Sequence, residues 1–593
     1  MENDLPSGRP VRFKNFKLDL RTRELYKKDF KVKLRGQPIE VLAILIESPG
    51  ELVTREALRQ ALWPQDTFVD FEHSLNSTIN KLREALGDSP EAPQFIETIP
   101  RLGYRFIAPI VSAAPAVEAG APAKLLLKPI AKPLESGIRL AVLPFTNAFG
   151  DPQDRLAEGL STQMIVQLGR TYKHVSIIGP VSSVYFTAET HSLPVIAEVL
   201  RADYLLAGSI WRVNAHVRLF AQLIRTADQC TVWSESYTRE DSDLLSVLNL
   251  ITRDISHGLR QALPITSQPD HSPATTPENY EKYLRARFFS YRFDQASFTK
   301  ATGLFEEVIE ADPEFAPAHA GLAHMLTALA VYGGGPAHVD IYERIAKESG
   351  EALRLTDTIA EAHSARGWLG LWQADWEAAE NEFLRGIEVD PSFGLGYCGY
   401  SHLLTALGRH EEAIATASRA TDLDPLSPNV HVILGLALYT TGKFAEAIES
   451  ELRALELEPG YGPALASLSM IYETMGDLEK SLDYSRKAVE HNPETHMMMI
   501  HLGRSLAIAG HVESARAVLG RLLEMKTRIG LSSCLIALIY TALDQPADAW
   551  AWLERAFAEQ DPWRVFLNAD PRFRYFAGDP RFAELLAQLH LPQ

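Results

Sequence analysis

Four sets of small or helix-ending residues recur every 34 positions in the carboxy-terminal half of the chain. A glycine can end a helix without strain, small residues let two helices pack closely, and a proline terminates the second helix. The period therefore predicts a stack of two-helix units. The four sets are Pro391, Pro425, Pro459 and Pro493; Gly408, Gly442, Gly476 and Gly510; Ala379, Ala413, Ala447, Ser481, Ala515 and Ala549; and Gly386, Ala420, Ala454 and Ala488.

This pattern resembles the tetratricopeptide repeat, a unit of two antiparallel helices. Gly435 and Gly503 occupy the glycine position of that family's first helix, and Phe383 occupies the aromatic position of its second helix. The resemblance implies an all-α solenoid over residues 280–593, with seven or eight repeats. The final stretch, residues 569–589, leaves the period and is expected to cap the last apolar face.

The inner face of such a solenoid commonly binds a peptide or protein. We therefore expect a protein partner in this groove, which is lined mainly by apolar side chains of the first helices. The same side chains could instead fill the space between helices, because Met and Leu at helical spacing usually belong to a core. The residues expected to line the groove are Asn429, Val432, Leu436, Met470, Met497 and Arg504.

The length of 593 residues, with 46% apolar and 23% charged residues, indicates several folded domains. Cys230, Cys398 and Cys534 match neither a disulfide framework nor a zinc-ligand spacing, which favours a reducing compartment. No segment has the apolar run of a signal peptide or a membrane span. We expect a cytoplasmic protein without a membrane anchor, metal or cofactor.

Two Pro-rich stretches, residues 111–137 and 264–279, have the composition of interdomain linkers. They separate a head, residues 9–110, from a middle domain, residues 138–263, and the middle domain from the repeats. The net charge is -18, yet the head carries about 16 basic and 14 acidic residues between residues 11 and 109. Nearly all the acidity therefore lies downstream, and the head can approach a polyanion.

The head has the pattern of an α+β winged helix-turn-helix. Alternating apolar residues predict a small sheet at its start. Thr54 is suited to cap a short second helix, and a third helix with one apolar stripe is expected over residues 71–86. Two short strands joined at residues 100–103 then predict a hairpin, the wing.

The polar face of the third helix carries the side chains that could contact DNA. Asn can bond adenine bidentately, Lys and Arg can reach guanine or phosphate, and an Arg at the hairpin tip could enter a minor groove. Solvated polar faces are far commoner than recognition helices, so the helix alone leaves both interpretations open. The candidate residues are His73, Asn76, Ser77, Asn80, Lys81 and Arg83 on the helix and Arg101 at the tip.

The sequences LREALGD, residues 82–88, and IETIPRLGYRF, residues 96–106, resemble the winged-helix domain of OmpR/PhoB-type regulators, and most of all the CadC-like branch. The resemblance covers about residues 11–109. It implies a third helix in the major groove, a wing in the minor groove, and a loop at residues 64–71 that can meet RNA polymerase. The positions that it assigns to DNA are His73, Thr78, Asn80, Lys81, Arg83 and Arg101, with Tyr104 in the hairpin motif.

At two positions that contact DNA in that family, this chain has a different residue. Asn80 stands where many relatives have Arg, and Pro100 stands where they have a basic residue. The phosphate contacts are therefore expected to be weaker and the preferred site different. Direct-repeat half-sites are usual in the family, which implies a homodimer on double-stranded promoter DNA.

Residues 138–263 alternate apolar strands with helical spacing and predict a small α/β domain. AVLPF, residues 141–145, and ADYLLAGSI, residues 202–210, resemble the TolB-N-terminal-like or FlgO-like module. Its polar candidates are Asp203, His174 and His191. No spacing unites these three residues, which favours scattered surface positions over an active site.

No motif indicates an enzyme. GLGYCG, residues 394–399, matches the dinucleotide fingerprint but begins the first helix of a repeat, with no strand before it. The chain starts directly with the first strand of the head, so control by phosphorylation of a preceding receiver domain is not expected. We predict a one-component transcriptional regulator controlled through protein or ligand binding by the middle domain and repeats. The alternative is a protein-interaction scaffold whose winged helix has little promoter role.

Overall fold

The chain divides into two compact units, residues 1–130 and residues 131–593. The computed structural model describes residues 10–13, 16–19, 24–27, 30–32, 34, 37–47, 53–62, 71–86, 88–89, 93, 95–99, 102–107, 110–111, 137–147, 156–186, 192–213, 216–240, 275–292, 294–332, 338–493, 495–526 and 529–591.

The first unit is an α+β winged helix-turn-helix domain, as the sequence predicts. Its strands are β1 (Pro10–Phe13), β2 (Phe16–Asp19), β3 (Glu24–Lys27), β4 (Phe30–Lys31), β5 (Val53–Thr54), β6 (Ile96–Ile99), β7 (Gly103–Phe106) and β8 (Ile110–Val111), and its helices are α1 (Gln37–Glu47), α2 (Arg55–Leu62) and α3 (Phe71–Leu86). Five strands form an antiparallel sheet in the order β4-β3-β2-β1-β8. The other three form a second sheet in the order β5-β7-β6, whose β6–β7 hairpin is the wing.

The helices of this unit begin and pack as their local sequence dictates. Thr54 caps α2, because its hydroxyl oxygen accepts a hydrogen bond from the Ala57 N–H at 3.1 Å. The apolar stripe of α3 lies in the core, where its Leu and Ile side chains are at most 2% exposed. The opposite face of α3 is thereby left outside the core.

The second unit begins with a small α/β domain. Its strands are β9 (Ile138–Val142), β10 (Thr146–Asn147), β11 (Val175–Ile177), β12 (Tyr204–Val213), β13 (His216–Arg225) and β14 (Cys230–Glu240), and its helices are α4 (Leu156–Thr171), α5 (Pro180–Tyr185) and α6 (Leu193–Leu200). The sheet order is β11-β9-β12-β13-β14, with β10 on β12. Parallel pairs at β11, β9 and β12 give way to two antiparallel pairs. The predicted closing helix, about residues 243–263, lies outside the described residues.

Eight antiparallel helical hairpins follow within the described part of the second unit. Their helices are α7 (Pro277–Ser290), α8 (Gln295–Ala311), α9 (Ala316–Tyr332), α10 (His338–Leu355), α11 (Ala360–Gln373), α12 (Trp376–Val389), α13 (Gly394–Ala406), α14 (His410–Leu423), α15 (Pro428–Thr440), α16 (Phe444–Leu457), α17 (Gly462–Met475), α18 (Leu478–His491), α19 (His496–Ile508), α20 (Val512–Lys526), α21 (Ser533–Ala542) and α22 (Pro546–Ala558). The all-α solenoid is confirmed. Helix α7 begins at Pro277, inside the stretch that its composition assigned to a linker.

The glycines of the 34-residue pattern end the first helices of their hairpins. All four have φ values between 73 and 83 degrees, the left-handed conformation that glycine adopts without strain. Ala374 and Asp544, one period before and after this run, take the same conformation with φ of 60 and 55 degrees. The turn is therefore conformationally the same in six hairpins, although only four have the glycine.

The middle domain packs directly against the repeats within this unit. The Ser182 N–H donates to Asp424 Oδ1 at 2.7 Å, and the Ile177 N–H donates to Ser392 Oγ at 3.0 Å. A Cβ atom added to Gly179 would lie 2.4 Å from the Asp424 carboxyl carbon, so the Gly179 backbone lies directly against this side chain. Asp424 directly follows helix α14 and precedes Pro425 of the 34-residue pattern. The same residue that ends this helix therefore also binds the middle domain.

The carboxy-terminal segment, residues 561–591, forms the predicted cap and extends beyond it. It contains two 3-10 helices, Pro562–Phe566 and Pro571–Phe576, and helix α23 (Pro580–Ala587). Phe573, Phe576 and Phe582 pack against the last hairpin, as expected of a cap. The segment also reaches the third hairpin, where the Trp376 indole N–H donates to the Leu589 carbonyl at 2.7 Å.

Helix α16 contains a fully buried carboxyl. Glu451 is 0% exposed, and it packs where a Cβ on Gly435 would collide with it. Neither carboxyl oxygen has a hydrogen-bond partner in the described part of the chain. Burial raises the pKa of Glu451 well above the usual value, and the neighbouring Ser467 opposes this rise only in part.

The raised pKa predicts how Glu451 affects stability. A carboxyl with a higher pKa in the folded than in the unfolded state loses stabilising effect as the pH rises through the raised pKa. Glu451→Gln should therefore raise the free energy of unfolding at pH 7, by on the order of 1 kcal/mol, and the gain should shrink toward pH 5. Thermal unfolding of the full chain at both pH values measures it. Glu449→Gln, at an exposed position of the same helix, should have no effect. An equal gain at both pH values would contradict the assignment.

Candidate DNA-recognition surface

The exposed face of α3 presents amide and basic side chains together. Asn76, Asn80 and Lys81 are all exposed, and the two Asn residues lie four positions apart on one side of the helix. These are the groups that read adenine edges and bind phosphate. The side chains of His73 and Ser77 and the whole of Arg101 lie outside the described residues, as does the loop at residues 63–70.

A polar network joins α2, α3 and the wing beside this face. The Tyr104 hydroxyl donates to Asn76 Oδ1 at 3.0 Å and accepts from Arg55 Nη2 at 3.1 Å. Arg55 Nη1 also lies 3.4 Å from Asn76 Oδ1, and its guanidinium sits 5.2 Å from the centre of the Tyr104 ring. The network engages the Asn76 amide oxygen, so the Asn76 NH2 group is the part of this amide that is left to donate to another partner.

The hairpin motif Gly103-Tyr104-Arg105-Phe106 has a structural reason at every position. A Cβ on Gly103 would lie 2.1 Å from the Val53 carbonyl oxygen, so only glycine permits the pairing of β7 with β5. Phe106 is 1% exposed in the core, and Arg105 forms a half-exposed ion pair with Glu97 across the wing at 3.3 Å. The motif therefore anchors the wing to the helices.

Three residues assigned to DNA contact are corrected by their burial. Thr78 is 5% exposed and Arg83 is 6% exposed. Arg83 Nη2 donates to the Ile96 carbonyl at 2.9 Å and to Thr98 Oγ1 at 2.8 Å, which ties α3 to β6. Tyr104 is 2% exposed, and its hydroxyl is engaged in the network above. These side chains pack beneath the exposed face of α3, and fewer of the candidate residues are exposed than the sequence suggested.

Arg55 is a positioning residue that sequence reasoning missed. It is the first residue of α2 and directly follows the capping Thr54. Its role depends on Asn76 and Tyr104, which lie 21 and 49 positions along the chain. The sequence signal that could have identified Arg55 is its place as the first residue of the short helix α2 in this motif.

The polar candidates of the middle domain do not converge. His174 and Asp203 are exposed, and the Asp203 carboxylate accepts the Arg139 backbone N–H at 2.9 Å. His191 lies outside the described residues. Within the described ranges, no group of three or more His, Cys, Asp or Glu residues is placed to hold a metal ion. No described helix is both long enough and apolar enough to cross a membrane.

The side chains expected in the repeat groove are all buried or half-buried. Asn429, Val432 and Met470 are between 2% and 7% exposed. Leu436 and Met497 are half-buried, and Arg504 is held by Glu473 at 2.8 Å and by the Leu538 carbonyl. The interhelical alternative therefore applies to the buried members of the set. GLGYCG opens α13, without a preceding strand, as expected of a repeat helix.

Family models match all three regions of the chain. Residues 29–106 match "Transcriptional regulatory protein, C terminal", and residues 136–253 match "HilA/YgeH-like transcriptional regulator, second domain". Residues 401–462 and 462–495 match tetratricopeptide repeats. The middle domain is thus of the HilA/YgeH kind, and its resemblance to the TolB or FlgO module is not confirmed.

The following three proteins are among the relatives with similar sequences. A protein of Rhizobium meliloti, with the provisional name adenylate cyclase 3, is 30% identical over 187 residues, 31% of this chain and 32% of the relative. A "Cholera toxin homolog transcriptional activator" of Vibrio parahaemolyticus is 33% identical over 84 residues, 14% of this chain and 29% of the relative. The "Transcriptional regulator HilA" of Salmonella typhimurium is 25% identical over 411 residues, 68% of each chain. The first two matches span about a third of those relatives.

The order of the three matched regions is therefore similar to that of winged-helix transcriptional regulators. The head is an OmpR/PhoB-type DNA-binding domain, followed by a HilA/YgeH-like domain and tetratricopeptide repeats. Two of the three relatives carry names of transcriptional regulators.

Proposed function

We propose that this protein regulates transcription by binding promoter DNA through α3 and the wing, with Asn76, Asn80 and Lys81 directed at the major groove. The observation that carries the proposal is the exposed amide and basic row on α3, in a domain that matches a family of transcriptional regulators. The proposed site of action is the cytoplasm, where bacterial promoters lie. We also propose a homodimer on DNA and a contact of the loop at residues 64–71 with RNA polymerase, as in the resembled family.

The body of the protein is proposed to receive the signal and not to perform catalysis. Tetratricopeptide solenoids present extended surfaces to protein partners, and the acidic balance of this body favours a partner with basic side chains. The name adenylate cyclase belongs to a relative of which the match covers 32%.

Substitutions on α3 should separate phosphate contacts from base contacts. Lys81→Ala should weaken binding about equally for all sequences and reduce the salt dependence by about one ion, because one phosphate contact is lost. Asn80→Ala should instead reduce the preference for the correct base at one base pair, by about 1–3 kcal/mol of binding free energy. Genomic fragments that the wild-type chain retains in a gel-shift assay serve as DNA ligands, and fluorescence anisotropy of the full chain on them, over a range of salt concentrations, measures both effects.

Lys173→Ala is the matched control, because Lys173 is an exposed lysine of the second unit. It should leave affinity and salt slope unchanged. A salt-independent isotherm for the wild-type chain, or equal losses for Lys81→Ala and Lys173→Ala, would contradict the proposed surface.

A further inference from the structure

Two adjoining cavities lie on the inner side of the repeats. One is a partly open cavity with an accessible volume of about 60 Å³, and it is lined by Leu436, Met470 and Phe566 among others. The other has an accessible volume of about 50 Å³ and is lined by Phe298, Val331 and Trp368 among others. His402 and Ile433 line both cavities, which together are called the inner chamber.

The wall of the inner chamber is mostly apolar, and several of its hydroxyl groups are already engaged. Ser401 Oγ donates to the Ala413 carbonyl at 2.9 Å, and Thr327 Oγ1 donates to the Ala323 carbonyl at 2.9 Å. Such groups add little attraction for a charged or strongly polar ligand. A ligand would gain most of its affinity here by leaving water.

His402 places an unoccupied hydrogen-bond acceptor at the junction of the two cavities. Its Nδ1 lies 3.1 Å from the Cys398 carbonyl oxygen, which can only accept, so Nδ1 carries the proton of the neutral ring. Nε2 is then an acceptor, and no described residue bonds to it. Burial lowers the pKa of His402 to about 4, which keeps the ring neutral.

A second imidazole lies at the far side of the chamber. His324 is 9% exposed, lines the second cavity and contacts Phe393 edge-on, with no hydrogen bond in the described structure. Burial lowers the pKa of His324 to about 4. Unpartnered polar rings in an otherwise apolar, buried space are a specific feature of ligand pockets, since native cores normally satisfy such groups.

The carboxy-terminal segment closes one side of the chamber. Phe566 packs edge-on against the His402 ring at 5.9 Å, and Trp563 lies 5.9 Å from Phe566. The Asp570 carboxylate at this wall is paired with Arg572 at 2.6 Å, so it offers little attraction to a free cation. A peptide in the groove would meet this covering segment, whereas a small molecule fits beneath it.

We propose that the inner chamber binds a small, uncharged aromatic molecule with one hydroxyl or N–H donor, which bonds to His402 Nε2. The aromatic and aliphatic walls supply the apolar contact, and the neutral imidazole selects the donor. Neutral acceptors disfavour carboxylates, because they offer no compensating charge or proton. The site is separate from the DNA-recognition surface, and binding can be measured without DNA.

Isosteric probes test the donor preference. The full chain is titrated by calorimetry with para-bromophenol, para-bromotoluene and para-bromobenzoate. The phenol should bind about threefold to tenfold more tightly than the toluene, the worth of one neutral hydrogen bond, and the benzoate most weakly. Equal affinity for phenol and toluene, or tightest binding of the benzoate, would overturn the proposal.

The His402→Leu variant tests whether His402 Nε2 accepts the hydrogen bond from the ligand. It should abolish the preference for the phenol while toluene binding persists, with Ser418→Ala on the outer helix α14 as control. If the variant does not fold, bromine anomalous diffraction from the wild-type chain with para-bromophenol decides the matter. Bromine density inside the inner chamber, with the phenol hydroxyl at hydrogen-bond distance from His402 Nε2, supports the proposal, whereas the absence of bromine density from the chamber overturns it. Either failure leaves the DNA-binding proposal intact, because no DNA is present.

Discussion

Replacing Glu361 by Gln should lower the free energy of unfolding of the second unit by about 3–5 kcal/mol, the usual cost of leaving a buried charge unpaired. Glu361 lies at the start of α11 and is 2% exposed. Its carboxylate is 3.0 Å from Arg170 of α4 and 3.0 Å from Arg287 of α7. Burial opposes ionisation, but Arg287 and Arg170 hold the pKa of Glu361 at about 2.

The loss should be visible in two readouts. Calorimetry of the full chain should show a lower unfolding temperature for the second unit, and hydrogen exchange should accelerate in α4, because Arg170 links the middle domain to the repeats. Glu388→Gln removes a pair with Arg385 in which both side chains are more than 40% exposed, and it should change little. The double variant Arg287→Met with Glu361→Gln should regain part of the stability. Equal effects of Glu361→Gln and Glu388→Gln would contradict this account.

Replacing Arg83 by Ala should destabilise the head by about 3–6 kcal/mol. The guanidinium donates two buried hydrogen bonds to β6, and bonds from charged donors contribute about 1.5–3 kcal/mol each. The α3–wing junction would loosen, and DNA affinity would fall as a consequence of misplacing the recognition face. Arg105→Ala breaks only the half-exposed pair with Glu97 and should cost less than about 1 kcal/mol.

This comparison separates the structural role of Arg83 from the DNA contact that the family resemblance implies. Thermal unfolding of the head and anisotropy on a retained fragment are measured for both variants. If the Arg83→Ala head is as stable as the wild type but binds DNA more weakly, Arg83 contacts DNA directly, as the family resemblance implies. A destabilised head supports the positioning role.

Local pattern was sufficient for the elements that carry the candidate site. The bounds of α3, its buried stripe and the Thr54 cap all follow from side-chain periodicity and capping chemistry within one segment. The 34-residue period likewise predicted the hairpins, because each turn repeats the same conformation. Burial of Arg83 was not predictable in this way, since its partners Ile96 and Thr98 lie 13 and 15 positions further along the chain.

In the second unit, contacts between residues far apart in the chain were the features that the sequence could not predict. The pairing of Arg170 with Glu361 joins residues 191 positions apart, and the bond between Trp376 and Leu589 joins residues 213 positions apart. Neither leaves a periodic signal. The sequence therefore predicted an open groove, whereas the structure covers part of the inner face with the carboxy-terminal segment and packs the middle domain on the repeats.

Genome-wide mapping of bound DNA in cells that express the protein tests the central claim most directly. The wild-type chain is compared with the Asn80→Ala, Lys81→Ala double variant, with Lys173→Ala as control, and transcripts are measured in the same cells. The account predicts discrete promoter sites for the wild type and the control, loss of occupancy in the double variant, and changed transcripts at the same genes. Unchanged occupancy and transcripts in the double variant, with protein partners still captured by the repeats, would contradict it and favour the scaffold.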